Sequence, residues 1–361
     1  MIDNNPVTFK QVADVYRLNA STLSKAYRDK LSDFLSWDQR SHATEWILHE
    51  ENIGEYMGID ETAPSRGDLF TILSNKDGHG RKGTIASIVS GTNSDDLSAV
   101  FDRIPLEKRL GVREVTMDFS DSMKATVTRS FPNASITIDC FHVVQLVTSA
   151  LGEIRMMHKR KEVKEDIRRR KEFKTRLKRN NEQRKKRELE RKETGVRKSA
   201  KGRKPNRANM QYTAPRLENG DTAVELLTRS RYFITQSRDK WTESQKKRAE
   251  ILFSRYPDML EAYNLADRLR SIFKKKNLSI NAGKSELQAW CDDVRLTKFD
   301  SLKTVAETIE SRIDEVANYF EQRHTNAAAE SLNSKLKGFR SMLRGVSDLP
   351  FFMYRISTIF G

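Results

Sequence analysis

Cysteine is almost missing from this chain. Cys140 and Cys291 are its only two, too few for a disulfide framework or a cysteine-built zinc site, and their scarcity fits a reducing, cytoplasmic compartment. Long apolar runs are missing as well: none approaches the roughly 20 residues that a membrane-spanning helix needs. The opening MIDNNPVTFKQVADVYRLN lacks the basic-then-apolar arrangement of a signal peptide, so a soluble protein with no membrane partner is expected. Apolar residues make up only 37% of the 361, against 32% charged. That is little for one densely packed enzyme, and the excess charge must lie on solvated or ligand-facing segments.

The net charge is +16, which points to a polyanionic partner, nucleic acid first. It is concentrated in one place. Between Arg155 and Arg207 there are 25 Lys or Arg against 8 Asp or Glu, while the remainder carries 41 basic and 42 acidic residues. Neutralising several phosphates with such a segment releases counterions and gives strong, salt-dependent, largely sequence-independent affinity. Arg168, Arg169, Arg170, Lys185, Lys186 and Arg187 are the candidate contacts to the DNA backbone within it.

The length allows two or three compact units. Residues 1–50 read as helical. Val12, Val15 and Tyr16 form an apolar helical stripe, Leu18-Asn19 a turn, and Ser21 a cap for a second helix with Leu23 and Tyr27 inward, which makes a candidate helix-turn-helix. From 51 to 150 strands and helices alternate. Tyr56–Asp60, Leu69–Ser74 and Thr84–Ser90 read as strands, then a helix from Ser94 to about Arg109, a strand from Val112 to Asp118, a helix from Ser122 to Phe131, and a strand from Ser135 to Asp139. Three consecutive strands suit an antiparallel meander, and the later helical crossovers demand parallel pairing. That is the order of an α/β RNase H-like mixed-sheet core. Residues 151–318 read as a large all-α insertion with a basic arm, broken by a Gly- and Pro-bearing loop from Thr194 to Asn219. Residues 319–361 return to the core with a helix from Asn326 to Phe339 and an apolar tail. Trp241 and Trp290 in the insertion are expected in its core.

Three acids stand where such a core gathers metal ligands. Asp60 ends the first strand, Asp118 ends the fourth, and Glu330 lies on the last substantial helix. Hard oxygen ligands of this kind suit Mg²⁺, with Mn²⁺ able to substitute, and two such ions roughly 4 Å apart can serve both oxygens of an in-line displacement at phosphorus. Asn326, Glu330 and Asn333 share one helix face, and Lys335, Lys337 and Arg340 follow as candidate phosphate contacts.

The wording around these acids is more specific than their spacing. GIDE at Gly58–Glu61, TMDFS at Thr116–Ser120, ITIDCFHVVQL at Ile136–Leu146 and AAAESLNSKLK at Ala327–Lys337 occur in order. Together they resemble the ISL3 family of insertion-sequence transposases over about Tyr56 to Phe360. The resemblance implies a bacterial, nucleoid-associated DDE transposase that cuts element ends and joins them to target DNA, working as a homodimer on double-stranded DNA. Family members commonly carry an N-terminal cysteine-rich zinc module; some 50 cysteine-free residues precede the core here. End recognition then rests on the short helical unit, the insertion, or a separate DNA-binding polypeptide.

The second acid is open at this level. The most recognisable string favours Asp139, whereas strand order favours Asp118, because the fourth strand lies beside the first. Asp139 and His142 then orient a ligand, the scissile phosphate or the insertion. Two competing functions also stand: an RNase H-like nuclease without strand transfer, and a non-catalytic, transposase-derived DNA-binding protein.

Overall fold

A computed structural model of the chain describes residues 1–63, 69–195 and 211–361. It divides into two units. One comprises Met1–Val143, Lys275–Ala289 and Ile309–Gly361; the other comprises Val144–Lys274 and Trp290–Thr308.

The first unit opens with α1 (Phe9–Tyr16) and α2 (Ala20–Ala26). Thr8 and Gln11 close α1 with a reciprocal capping box, and Arg17 ends it in the left-handed region. The cap of α2 is Asn19, whose side chain accepts from Ser21 and Thr22, and not Ser21 itself. The expected apolar stripe is also corrected. Val12 and Ala13 are buried, but Val15 and Tyr16 are 67% and 60% exposed, because the face that meets the rest of the unit runs through Phe9, Val12 and Ala13. Tyr27 does turn inward. It joins Phe34, Phe9, Trp37, Phe351 and Tyr354 in an aromatic cluster.

Six strands form one mixed sheet in the order β1-β4-β3-β2-β5-β6. They are β1 (Trp46–Leu48), β2 (Tyr56–Thr62), β3 (Phe70–Asn75), β4 (Ile85–Ser90), β5 (Glu114–Met117) and β6 (Ser135–Ile138). The meander β2-β3-β4 is antiparallel, and β5 and β6 add in parallel beyond β2. The sequence pattern anticipates this arrangement and omits β1, a three-residue strand antiparallel to the β4 edge.

Helix α3 (Ser94–Phe101) is capped by Asn93 and packs on β4. The helix expected to run on to Arg109 stops short. Pro105 cannot donate within a helix interior, so it starts a separate α4 (Leu106–Leu110). Leu97, Val100, Phe101 and Ile104 are all buried as the periodicity demands. Helix α5 (Asp121–Ser130) joins β5 to β6.

Directly after β6 the 54-residue helix α6 (Cys140–Glu193) begins. Its first turns bury Val143, Val147, Leu151 and Ile154; from Lys164 to Glu193 it is charged, and no residue there is buried. The loop expected over Thr194–Asn219, like the last basic residues before Arg207, lies largely outside the described residues. Helices α7 (Ala223–Arg229), α8 (Arg231–Ile234), α9 (Glu243–Arg255) and α10 (Pro257–Lys274) follow, then α11 (Ile280–Arg295) and α12 (Asp300–Ser311). Trp290 is fully buried and donates to the Leu265 carbonyl. Trp241 donates to the Phe233 carbonyl among Phe233, Phe253 and Tyr263. Both are core residues of the second unit.

The chain returns through α13 (Ile313–Ala317) and α14 (Tyr319–Gln322) to α15 (Ala327–Met342) and α16 (Leu349–Phe360). The apolar tail is thus a helix, with Asp348 at its N-cap. Leu332, Leu336 and Phe339 of α15 and Phe352, Met353, Ile356, Ile359 and Phe360 of α16 pack on Ile47, Phe70, Ile72, Ile85 and Ile88. Among the described residues no helix is long and apolar enough to cross a membrane.

Candidate active site

The register of the sheet sets the site. Tyr56 and Gly58 of β2 pair with Glu114 and Thr116 of β5, which pair in turn with Ser135 and Thr137 of β6. Side chains alternate along a strand, so Asp60, Asp118 and Asp139 project on the same face; Asp118 and Asp139 stand just beyond the ends of β5 and β6, whereas Asp60, expected to end its strand, lies within β2, which pairs with β3 as far as Thr62. Each is held by a local backbone bond. Asp60 Oδ1 accepts from Glu61 N–H at 2.8 Å, Asp118 Oδ1 from Ser120 N–H at 2.8 Å, and Asp139 Oδ1 from Phe141 N–H at 3.1 Å. The Asp118 turn leads straight into α5, whose N-cap is Ser120.

Helix α15 lies on β2 and brings the fourth carboxylate. Asn333 Nδ2 donates to Asp60 Oδ2 at 2.7 Å and to the Glu61 carbonyl at 3.3 Å. Asn326, at the start of the helix, donates from Nδ2 to the Ile59 carbonyl at 3.4 Å and from its backbone N–H to Asp139 Oδ2 at 3.3 Å. Glu330 stands between these two clamps. Gly58 explains the close approach, since a Cβ there would meet Asn326 Oδ1 at 2.6 Å. The shared face of Asn326, Glu330 and Asn333 expected from their spacing is therefore present, with defined partners for both asparagines.

His142, in the first turn of α6, joins this group. One ligand atom each from Asp139, His142 and Glu330 lies within 4.8 Å of the others. Asp139 is buried and the other two are half-buried. The electrostatics of the cluster are those of crowded negative charge. Burial, then Asp118, hold the Asp60 carboxyl above its ordinary value, against the pull of Glu61 N–H, His142 and Asn333. Burial, then Asp139, raise Glu330, with His142 opposing. Glu61, which sequence reasoning passed over, is raised by burial and by Asp118 and Asp60. Only its place in GIDE, next to Asp60, marked it.

The candidate phosphate contacts divide. Lys335 Nζ donates to the Gly80 carbonyl at 2.6 Å and Arg340 to the Ala63 carbonyl at 2.8 Å, so both are tied to loops of the sheet, while Lys337 is exposed. On α6, Arg168 pairs with Glu165 and Glu172, Arg169 pairs with Glu165, and Arg170 lies over the Tyr212 ring. Lys185, Lys186 and Arg187 are exposed.

A family model of ISL3-type DDE transposases, described as transposase, matches residues 57–356. The chain is also similar to the transposase for insertion sequence element IS1557 of Mycobacterium tuberculosis. In each of two strains, CDC 1551 and H37Rv, the relative is 24% identical over 309 residues, 82% of this chain. The chain spans about 60% of the length of these relatives. No solved structure matches. With three quarters or more of its length covered by the family model, the chain belongs to the ISL3 family of transposases.

Proposed function

We propose that the chain is a metal-dependent DNA transposase on an RNase H-like core: it hydrolyses phosphodiester bonds at insertion-element ends and then directs the freed 3′-hydroxyl onto target DNA. The observation that carries this reading is the placement of Asp60, Asp118 and Asp139 on one face of the adjacent parallel strands β2, β5 and β6, with Glu330 on α15 between Asn326 and Asn333, which bond to Ile59 and Asp60. The core is interrupted after β6 by the helical insertion, and the chain is back in the first unit from Ile309 onward.

Asp60, Asp118 and Glu330 are the catalytic acids in this reading, and Asp139 with His142 completes the cluster. The donor set fits a divalent cation. Its oxygen ligands are those Mg²⁺ takes, an added imidazole is compatible with Mn²⁺, and the carboxyls raised by burial and mutual repulsion are charges that a cation would relieve. When bound, such ions supply Lewis-acid polarisation of the scissile phosphate. The remaining work belongs to the chain. Asn333 holds Asp60 in one rotamer, Asn326 holds Asp139, and the two together fix the position of Glu330. The basic stretch of α6, with Arg168 to Arg170 and Lys185 to Arg187, binds the phosphate backbone of double-stranded DNA. Two element ends are handled together by a homodimer, in the bacterial cytoplasm on nucleoid DNA.

The test is incubation of purified protein with candidate end DNA and Mg²⁺. Joined products are expected; cleavage alone would leave a nuclease, and salt-sensitive binding without products a regulatory protein. Asp118→Ala is expected to abolish cleavage and Mn²⁺ binding together. Full activity in Asp118→Ala with loss of both in Asp139→Ala would transfer the second ligand to Asp139.

A further inference from the structure

Beneath the acids, on the same sheet face, lies a second polar group that no step above uses. Glu114, two residues before Thr116 and four before Asp118, is almost fully buried, with 5% of its side chain exposed. Its Oε1 accepts from Lys76 Nζ at 2.9 Å and from Thr116 Oγ1 at 2.9 Å, and Lys76 also touches Thr116 Oγ1. Its Oε2 faces His324 Nδ1 at 3.2 Å. A carboxylate only accepts, so Nδ1 carries the proton in this contact. The imidazole also stands edge-on to the Tyr56 ring, with centroids 4.6 Å apart.

Both oxygens of Glu114 are engaged by Lys76, Thr116 and His324, and it is not in the group of possible metal ligands found among the described residues. Nor is a buried Lys–Glu pair an efficient source of stability, since the desolvation of both charges offsets their attraction. Burial does push the Lys76 ammonium down, against the pull of Glu114. What a buried, directional contact provides is position. His324 lies in the short segment by which the chain re-enters the sheet after α14. Arg323 before it takes the left-handed conformation and donates to the Lys275 carbonyl. Asn326 two residues later starts α15, and Glu330 follows one turn on. Further along the helix Asn333, Lys335 and Arg340 each have an anchor. At its N-terminal end the anchors are Asn326 and the His324–Glu114 contact.

We propose that His324, seated on Glu114 and Tyr56 and backed by Lys76, is a positioning residue for Glu330: it latches the incoming end of α15 onto β2 and β5 and so sets where the last carboxylate stands. The inference rests on the reading of Glu330 as a catalytic acid. It assigns His324 no contact with substrate or ion.

The test compares His324→Phe, which keeps a ring against Tyr56 but offers Glu114 no N–H, with His324→Asn, which restores an N–H near the place of Nδ1. Three quantities are read on the full chain: Mn²⁺ affinity of the free protein by electron paramagnetic resonance, kcat and KM for end cleavage, and amide exchange across residues 326–331. For His324→Phe, Mn²⁺ affinity and kcat are expected to fall about 10- to 100-fold, the range for residues that orient a metal ligand. KM for DNA should hold, and exchange should quicken in 326–331 but not in β2 or β5. His324→Asn should recover most of each loss. Should Phe not be accommodated, His324→Ala, which only removes atoms from a partly exposed position, makes the same comparison. A folded His324→Phe or His324→Ala protein that matches wild type in Mn²⁺ binding, turnover and exchange overturns the latch, as does an Asn variant no better than Phe. Wild-type protein that neither binds Mn²⁺ nor cuts DNA would remove the functional reading instead, while the exchange comparison still judges the latch.

Discussion

Across β1, β4 and β3, the sheet face beneath α15 and α16 carries Ile47, Ile88, Ile72 and Phe70, sealed by Phe352, Ile356 and Phe360. Across β2, β5 and β6 the same face carries Gly58, Asp60, Glu114, Thr116, Thr137 and Asp139. The two halves share one set of backbone hydrogen bonds but face opposite demands. The antiparallel half removes apolar area from water and holds the unit together. The parallel half gathers carboxylates, and burial with mutual repulsion holds its Asp60 and the facing Glu330 of α15 above their ordinary values. Helix α15 spans the boundary, with Leu332, Leu336 and Phe339 turned to the first half and Asn326, Glu330 and Asn333 to the second. The anchorage of α15 and the placement of its carboxylate are therefore separable.

The sharpest way to break the comparison is a pair of substitutions on either side of it. Glu330→Gln is expected to lower cleavage by at least about 10⁴-fold, the scale seen when one member of a catalytic unit is removed, with no loss in thermal melting. Phe352→Ala should cost about 3–5 kcal/mol of stability, measured by denaturant titration, while the fraction that remains folded turns over normally. Loss of stability in the first, or of turnover per folded molecule in the second, would show that the halves are not separable.

A smaller effect is expected at the boundary. Gly58→Ala places a methyl group 2.6 Å from Asn326 Oδ1, so either the Asn326 side chain leaves its bond to Ile59 or α15 moves off β2. A displacement near 1 Å can cost on the order of 10²-fold in rate. Single-turnover cleavage should report that loss with an unchanged affinity for end DNA.

The smallest effect runs the other way. Burial and Asp118 raise the Asp60 carboxyl above its ordinary value of 3.8, so between that value and the raised one the folded protein binds more protons than the unfolded chain. Stability from this group is full below 3.8 and is lost as pH rises through the raised value. In the presence of a chelator, Asp60→Asn should therefore stabilise the protein at neutral pH by about 1 kcal/mol and flatten the dependence of melting temperature on pH across that window. A variant less stable than wild type at pH 7 would mean that the bond from Asn333 outweighs the repulsion.

How much of this was legible in the sequence follows from the range of each interaction. Alternation and punctuation are local, so five of the six strands and the parallel crossovers could be read. Three residues of β1 are too few to show a pattern, and the break at Pro105 was overlooked because the apolar spacing continues through Ile104. In α1 the spacing of Val12, Val15 and Tyr16 is genuine, yet two of the three face solvent, since periodicity says which residues share a face and not whether anything covers it. Asn326, Glu330 and Asn333 were found because helical spacing relates them. The Lys76–Glu114–His324 group could not be, because its members are brought together from three elements by register alone and none stands in a memorable string. Family membership matched the motif reading, and the roles of Asp60, Asp118 and Glu330 rest on the experiments above.

The order of the acids along the chain also has a consequence for synthesis. Asp60, Asp118 and Asp139 leave the ribosome with the sheet that holds them, but Glu330 follows roughly 190 residues after Asp139. At about 5–20 residues per second, a nascent chain spends on the order of tens of seconds with three of its four clustered carboxylates made and α15 still to come. Through that interval the chain lacks the helix that brings the last acid to the site.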